Sequence, residues 1–275
     1  MNDTTFDHIV SKVPAVTLGF WVIKILATTL GETGGDSVTM SWLQADLHPH
    51  NGGYLIGTAI FAVIFIAAVV AQIVTEKFEP WIYWTAIVAS TTIGTALADF
   101  VDRSLGIGYA GGASILLACV VLSLAIWYRA LGSINVQTVA TPRVEIFYWL
   151  TITFSQTLGT ALGDWMADTG GLGYQGGALV FAAGLAVLAA AYYWTNISRV
   201  ALFWIAFILT RPLGATLGDF VDKPLDHGGL ALSRPLASAA IAVLIVVLIL
   251  ILPQRAGSHP GNGDGTTTRT TQPST

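Results

Sequence analysis

Four carboxylates recur at the same position of a repeated motif. Each copy reads Gly-x-x-x-small-Asp and lies in an otherwise apolar segment. The glycines are Gly31, Gly94, Gly159 and Gly214, and the aspartates five positions later are Asp36, Asp99, Asp164 and Asp219. An ionisable group inside an apolar span costs on the order of a few kcal/mol unless it faces water, a partner or a substrate. Four equivalent carboxylates therefore indicate a function.

Further acids accompany the motif at helical spacing. Asp102, Asp168 and Asp222 follow three or four residues after their motif aspartates, whereas Glu32 precedes Asp36 by four. If the helices continue past the motif, each such pair lies on one helix face. These acids enlarge the predicted cluster.

The chemistry favoured by this cluster is the binding of a hard cation. Oxygen-rich sites suit alkali or divalent metal ions, although the pattern does not select a particular metal. Crowded carboxylates also resist ionising together, which offers a route to proton exchange. We expect cation ligands or proton carriers at Glu32, Asp36, Asp99, Asp164 and Asp219. Polar side chains near the motif that are expected to line the same site are Thr28, Thr29, Thr92, Gln156, Thr157 and Thr216.

Two basic residues lie within motif-bearing spans. Lys24 precedes Glu32, and Arg211 precedes Asp219, by eight residues, which is ~12 Å along a helix. Neither reaches the acid of its own helix, so we expect partners on neighbouring helices. Charge balance, binding of an anionic group and gating remain open roles. Pro212 is expected to break or kink its helix.

Simpler interpretations exist for both parts of the motif. Small residues four apart allow two helix backbones to approach closely, which accounts for the glycines without any function. In the corresponding interpretation of the aspartates, they are helix-end acids whose side chains extend to the membrane interface.

Composition identifies the environment that the whole chain requires. Its 275 residues are 54% hydrophobic and only 10% charged, with a net charge of −4, against about 25% charged residues in soluble domains. We expect an integral membrane protein whose first span is its own insertion signal, because the polar, acidic start lacks a cleavable signal. The single cysteine, Cys119, excludes an intramolecular disulfide and a multi-cysteine metal site.

The motif spacing predicts the architecture. Consecutive motif glycines are roughly 55–65 residues apart, enough for two spans of ~20 residues with their turns. The predicted fold is all-α, with eight transmembrane helices arranged as four tandem two-helix repeats. The repeats cover about residues 13–75, 81–129, 145–195 and 200–253 of a single membrane domain, followed by a disordered polar tail at residues 254–275. Tryptophans near span ends are expected in interfacial belts: Trp21, Trp81, Trp84, Trp127, Trp149, Trp194 and Trp204.

Basic residues in the short loops predict the orientation. Six fall on one side, namely Lys12, Lys77, Arg129, Arg143, Arg199 and Arg255, and three on the other, namely Arg103, Lys223 and Arg234. This bias places both termini in the cytoplasm and the motif aspartates on the outer half. Because each repeat contains two spans, the motif-bearing helices run in one direction and can meet around a common vestibule.

At these motifs the sequence resembles the bacterial multi-pass membrane-anchored proteins built from tandem copies of a repeat of unknown function. Residues 24–36 and 157–164 carry the likeness. The resemblance implies an integral membrane location and specifies no substrate. A weaker likeness is to cation exchangers whose paired repeats carry Glu-x-Gly-Asp, but Glu32 and Asp36 are one residue too far apart for that pattern.

The interpretation that unites these features is a transporter of a small cation in the inner membrane, exchanging it for protons. The alternative is a non-transporting scaffold that binds a partner or lipid. An enzyme is not expected, because no nucleophile and base occur in a recognisable set. No cofactor or nucleic-acid partner is expected beside the lipid bilayer, the cation and protons, and oligomeric state, substrate and direction are left open.

Overall fold

The computed structural model describes residues 11–257 apart from Pro49 and Asn51. This part of the chain is all-helical and contains eight α-helices, which confirms the predicted class and helix count. The helices are α1 (Leu18–Asp36), α2 (Gly53–Val74), α3 (Pro80–Asp99), α4 (Tyr109–Leu131), α5 (Pro142–Asp164), α6 (Gly173–Trp194), α7 (Arg199–Asp222) and α8 (Arg234–Ile251).

The helix boundaries follow from local sequence signals. Thr17 caps α1 by accepting a hydrogen bond from the Phe20 amide at 3.2 Å. Proline occupies the first turn of α3, α5 and α8, where its missing N–H costs no helical hydrogen bond. After their motif aspartates, α1, α3 and α5 continue as wider π-helical turns over Ser37–Trp42, Phe100–Ser104 and Trp165–Thr169. These turns carry the residues that follow each aspartate back over the end of the bundle.

The four motif-bearing helices form a closed ring. Helix α1 packs against α3, α3 against α5, α5 against α7, and α7 returns to α1. The contacts have a parallel register, since Gly31 faces Thr91 and Gly35 faces Thr95. We name the two ends of this ring the aspartate end, where α1, α3, α5 and α7 finish, and the aromatic end, where they begin.

The other four helices lie outside the ring and lock the repeats together. Helix α2 packs on α3, α4 on α5, α6 on α7, and α8 on α1. The second helix of each repeat therefore covers the first helix of the next repeat, and the last repeat covers the first. Closure of the ring thus requires all four repeats, because the principal partner of every outer helix belongs to a neighbouring repeat.

The motif glycines set the separation between ring helices. Each lies against the residue three positions before the next motif glycine, so the same contact recurs around the ring. The pairs are Gly31 with Thr91, Gly94 with Gln156, Gly159 with Arg211, and Gly214 with Thr28. A Cβ atom at any of these glycines would press on the backbone or on the first side-chain atoms of its partner. Close helix packing is therefore confirmed for the glycines.

An aromatic layer closes the other end of the ring. Each ring helix has a Phe or Tyr eleven residues before its motif glycine, and a Trp directly after it. The Tyr83 and Tyr148 hydroxyls lie 2.7 Å apart. Edge-to-face contacts join Tyr83 to Trp84 and Tyr148 to Trp149. Four tryptophans that were expected at the interface are instead buried between helices: Trp84, Trp149 and Trp204 on ring helices, and Trp127 on the outer helix α4. The predicted interfacial role is wrong for these four. Packing at the ring takes these indoles away from the surface, whereas Trp81 and Trp194 are exposed.

The first and last described segments of the chain meet at the aromatic end. The Gly257 amide donates to the Val13 carbonyl and the Ala15 amide to the Arg255 carbonyl, each at 2.8 Å. Trp84 Nε1 donates to the Gln254 side chain at 3.1 Å. The predicted disordered tail therefore begins too early, because residues 254–257 pair with the segment before α1. Residues 258–275 lie outside the described residues.

Among the residues that the structure describes, six helices are long and apolar enough to cross a membrane: α2, α3, α4, α6, α7 and α8. The outer helices α2, α4, α6 and α8 turn most of their apolar surface outward, since only 17–33% of each span is buried. Helices α1 and α5 are more polar because the interior of the ring accepts their threonines, Gln156 and charged residues. Of the eight predicted spans, six are therefore supported by length and composition among the described residues, and α1 and α5 are not.

Substituting alanine at two glycines tests the ring contact. Gly214→Ala places a Cβ on Thr28 and is expected to lower the free energy of unfolding in detergent by about 1–3 kcal/mol through overpacking. Gly34→Ala is the matched control, because Gly34 lies within α1 with no atom to meet an added Cβ. It is expected to stabilise the helix by about 0.5–1 kcal/mol. Equal thermal unfolding of the two variants would contradict the packing scheme.

Candidate functional site: a carboxylate ring on the helix-ring axis

The four motif aspartates gather at the aspartate end of the ring. All four are buried, at 4% exposure or less, although each ends its α-helix or lies close to its end. Two basic side chains hold them in pairs that cross between ring helices. The structure therefore brings together Asp36, Asp99, Asp164 and Asp219, as the shared register predicts.

Lys223 joins the first pair. Its Nζ lies 2.5 Å from Asp36 Oδ2 on α1 and 3.0 Å from Asp219 Oδ1 on α7. The Met40 sulfur lies 3.6 Å from the same nitrogen. The ammonium thus stands between two carboxylates at a position suited to a small cation.

Arg103 joins the second pair. Its Nε lies 2.9 Å from Asp99 Oδ1 on α3, and its Nη2 lies 3.5 Å from Asp164 Oδ2 on α5. Arg103 and Lys223 share one register, nine residues after their motif glycines, and the other two repeats have Met40 and Asp168 there. The four-repeat ring therefore carries its positive charges on alternate repeats.

These two bridging residues were not predicted as site residues. The sequence placed Arg103 and Lys223 in loops, where they served only to orient the chain. Their common distance from the motif glycine was the available signal, because a side chain nine residues on is two and a half turns along the same helix. The wider turn after α3 and the extra turn of α7 bring both back over the aspartates.

Arg211 lies on the axis of the ring below the aspartates. Although it belongs to α7, its Nη2 contacts all three other ring helices: Glu32 Oε2 at 2.9 Å, Thr95 Oγ1 at 2.6 Å and Thr160 Oγ1 at 2.5 Å. Glu32, Thr95 and Thr160 each follow a motif glycine directly, and the fourth equivalent residue, Ala215, bears only a methyl group. The expectation that Arg211 pairs with a neighbouring helix is confirmed, and Thr95 and Thr160 are additional site residues.

Lys24 lies further toward the aromatic end and has no carboxylate partner among the described residues. It is fully buried, and its Nζ stands 4.2 Å from the centroid of the Phe207 ring. Of the two basic residues, Arg211 therefore has an ion-pair partner on a neighbouring helix, whereas Lys24 has none among the described residues.

The predicted polar lining divides into two groups. Gln156 is buried in the ring and donates to Ser90 Oγ at 3.4 Å. The threonine hydroxyls instead bond to helix carbonyls: Thr28 to Ile25 and Thr210, Thr29 to Ile25, Thr92 to Val88, Thr157 to Thr153, and Thr216 to Pro212 and Leu213. Helix α7 continues through Pro212 and is not broken there.

The three secondary acids, Asp102, Asp168 and Asp222, lie in different surroundings at the aspartate end. Asp222 is buried beside Arg234, whose Nε lies 3.5 Å away, and Asp102 is buried against Gly112 of α4. Asp168 is exposed and accepts a hydrogen bond from the Tyr109 hydroxyl at 3.3 Å.

A cavity of about 550 Å³ opens at the aspartate end. The cavity is lined by the residue nine positions after the motif glycine in each of the four repeats. It therefore covers the end of the ring axis. Its lining is Met40, Asp46, Arg103, Asp168, Tyr174, Lys223, Pro224 and Arg234. We call this cavity the vestibule, and it is separated from the carboxylate ring by the side chains of Arg103 and Lys223.

The oxygens of Glu32, Asp36 and Asp219 lie within 4.8 Å of one another and offer a ligand set for a cation. One oxygen of each carboxylate already contacts a basic side chain: Glu32 Oε2 contacts Arg211, and Asp36 Oδ2 and Asp219 Oδ1 contact Lys223. The second oxygen of Asp36, Oδ1, is buried without a hydrogen-bond partner. Around the axis, five carboxylates face the three basic side chains Arg103, Arg211 and Lys223. The site retains an excess of negative charge when all are ionised.

The family model described as "Repeat of Unknown Function (DUF347)" matches this chain four times, over residues 19–78, 82–132, 147–198 and 202–255. The chain belongs to this family. The four consecutive matches confirm the resemblance to a tandem repeat of unknown function, and each DUF347 match contains one ring helix and the outer helix that follows it. No curated protein and no solved structure matches the chain.

The buried Arg211–Glu32 pair is expected to hold this DUF347 ring together. Arg211→Met leaves Glu32 without its cation in a fully buried place and is expected to lower the free energy of unfolding by about 3–5 kcal/mol. The double variant Arg211→Met/Glu32→Gln is expected to recover most of that loss, because no buried charge is left unpaired. Arg199→Met, at the exposed start of the same helix, is the control for loss of an arginine. Thermal unfolding in detergent measures the series, and a double variant as unstable as the single one would contradict the pairing.

Proposed function

We propose that this chain is a multi-pass protein of the inner membrane that transports a small cation in exchange for protons. The observation that carries the proposal is the convergence of Glu32 and the four motif aspartates on the axis of a closed helix ring. Carboxylates that only extend to the membrane interface need not lie near one another, whereas carboxylates that bind one ion must lie close together.

Membrane insertion is supported by the distribution of polar residues. The outer helices present apolar side chains on their outward faces, and the charged residues within the ring are buried away from that surface. The chain thus arranges polar groups inside and apolar groups outside, as a protein immersed in lipid requires. All eight helices span the bilayer in this proposal, and the ring axis runs along the membrane normal.

Cation binding is assigned to the oxygens nearest the vestibule. Asp36 and Asp219 already hold a positive group, the Lys223 ammonium, and Glu32 lies within reach of the same place. A cation that enters from the vestibule takes over these oxygens as the flexible lysine side chain withdraws. Oxygen ligands suit alkali or alkaline-earth ions better than soft metals.

Proton exchange follows from the crowding of the same groups. Carboxylates this close together do not all remain ionised unless cations neutralise them, so arrival of a cation releases a proton and its departure takes one up. Such linkage couples the two fluxes without any further machinery. The aromatic layer closes the opposite end, which fits the state of an alternating-access cycle that is open toward the vestibule.

Neutral variants of the motif aspartates test transport directly. Asp164→Asn and Asp219→Asn are expected to reduce cation-driven proton movement in liposomes to the level of protein-free vesicles, while elution on size exclusion stays normal. Asp226→Asn, an exposed aspartate at the same end, is the control and should transport normally. If the wild-type protein moves no ion of an alkali and alkaline-earth panel, the scaffold interpretation replaces this proposal.

The orientation has its own test. With both termini in the cytoplasm, a reporter that fluoresces only in the cytoplasm is expected to be active when it is fused after residue 275. The same reporter inserted in the α3–α4 turn at Gly106, at the aspartate end, is expected to be dark. The opposite pattern would reverse the proposed direction of the vestibule.

A further inference from the structure

A line of buried polar side chains continues along the ring axis below the carboxylate ring. Toward the aromatic end of the Arg211–Glu32 pair lie Gln156 and Ser90, which share a hydrogen bond, and Ser155 at the same register as Ser90. Lys24 stands about one turn further along. These residues lie on all four ring helices and occupy the face that carries the motif one to two turns later. The line ends where the Tyr83 and Tyr148 hydroxyls meet.

Several groups in this line lack partners. Lys24 Nζ, Ser155 Oγ, Gln156 Oε1 and Arg211 Nε and Nη1 are buried without a hydrogen bond, and the described residues offer no ion-pair partner to Lys24. Buried polar atoms are almost always bonded in folded proteins, so a cluster of unbonded ones indicates water or a ligand in the working protein.

Lys24 is the group in this line whose charge state is open. An ammonium that is fully buried and has no counter-ion costs several kcal/mol, so the neutral amine is favoured there. When a proton arrives, the Phe207 ring at 4.2 Å offers modest stabilisation of the cation. Lys24 therefore has the properties of a group that accepts a proton and releases it again.

The charged groups around Lys24 are consistent with this behaviour. From α7 the like-charged Arg211 repels the ammonium form. From α3 the titratable groups are Tyr83 at the aromatic end and Asp99 at the aspartate end, and α8 brings only Arg234, at its start. On α1 itself Glu32 is two turns away and is paired with Arg211. No facing carboxylate among the described residues holds Lys24 permanently charged.

We propose that Lys24 is the proton carrier between the carboxylate ring and the aromatic end. This inference rests on the proposed exchange of a cation for protons and assigns the proton half of that exchange. The ligand of this second site is a proton, delivered through water held by the unbonded oxygens of Gln156 and Ser155.

The transfer conserves protons and charge at each step. The amine lone pair of Lys24 takes up a proton that arrives through water beside the Tyr83–Tyr148 pair and forms an N–H bond. The ammonium passes a proton on to the water chain, which restores the amine, and a carboxylate of the ring takes up a proton from that chain as the cation departs. When the next cation enters from the vestibule, the O–H bond of this carboxylic acid breaks and its proton leaves to the vestibule, opposite in direction to the cation.

Three substitutions at Lys24 separate proton carriage from structure. Lys24→Met removes the titrating group and Lys24→Arg keeps it charged, so both are expected to reduce cation-driven proton flux in liposomes by about 100-fold, the usual scale for a proton-transfer group. Lys24→His retains a titratable nitrogen and is expected to keep part of the flux. Ile152→Met, at the equivalent position of α5, controls for repacking of this layer.

Two readouts distinguish this inference from the proposed function. Cation binding, followed as a rise in melting temperature on adding the transported ion, is expected to persist in Lys24→Met, whose melting temperature without ion should equal or exceed that of wild type. Wild-type proton flux in Lys24→Met, or in Lys24→Arg if the methionine variant does not fold, would overturn the inference and leave cation transport standing. Absence of both ion-induced stabilisation and flux in the wild-type protein would instead overturn the proposed function.

Discussion

The close approach of four parallel helices is the constraint on which the rest of the structure depends. The motif glycines remove the side chains that would hold the helices apart, and the residue three positions before each glycine then fits against the previous helix. This spacing leaves a narrow space between the four helices, in which only a few side chains fit at each helical turn. A polar residue on that face is consequently buried, and any partner that it has lies on the ring helices or in the space between them.

The ion pairs follow from this geometry. Arg211 reaches Glu32, Thr95 and Thr160 on the three other ring helices, and Gly159 leaves room for its stem. Lys223 and Arg103 each span two adjacent helices at the aspartate end. Buried pairs of this kind contribute modestly to stability beside an apolar core, although removal of one partner is costly. Their presence inside an otherwise apolar helix ring supports a role that needs charge.

The interlocked arrangement of repeats also bears on function. Since every outer helix packs mainly on the ring helix of the next repeat, movement of one repeat is transmitted to its neighbour. The alternation of basic residues on the second and fourth repeats gives the ring an approximate twofold character within its four copies. Rocking of alternate repeats would open and close the two basic bridges together, a motion suited to the exchange proposed for the carboxylate ring.

By itself, the sequence determined the all-α class, the tandem repeats, the motif register and the presence of acids at equivalent positions. These features are local, because hydrophobic periodicity and spacing fix where a residue lies on its own helix. Which helices are neighbours was decided only in the tertiary structure, and so were the Lys223 and Arg103 bridges, the isolation of Lys24 and the burial of Trp84 and Trp149. The physical reason is that a contact between helices depends on their order and separation around the axis, which the closure of α8 on α1 establishes and which no single repeat specifies.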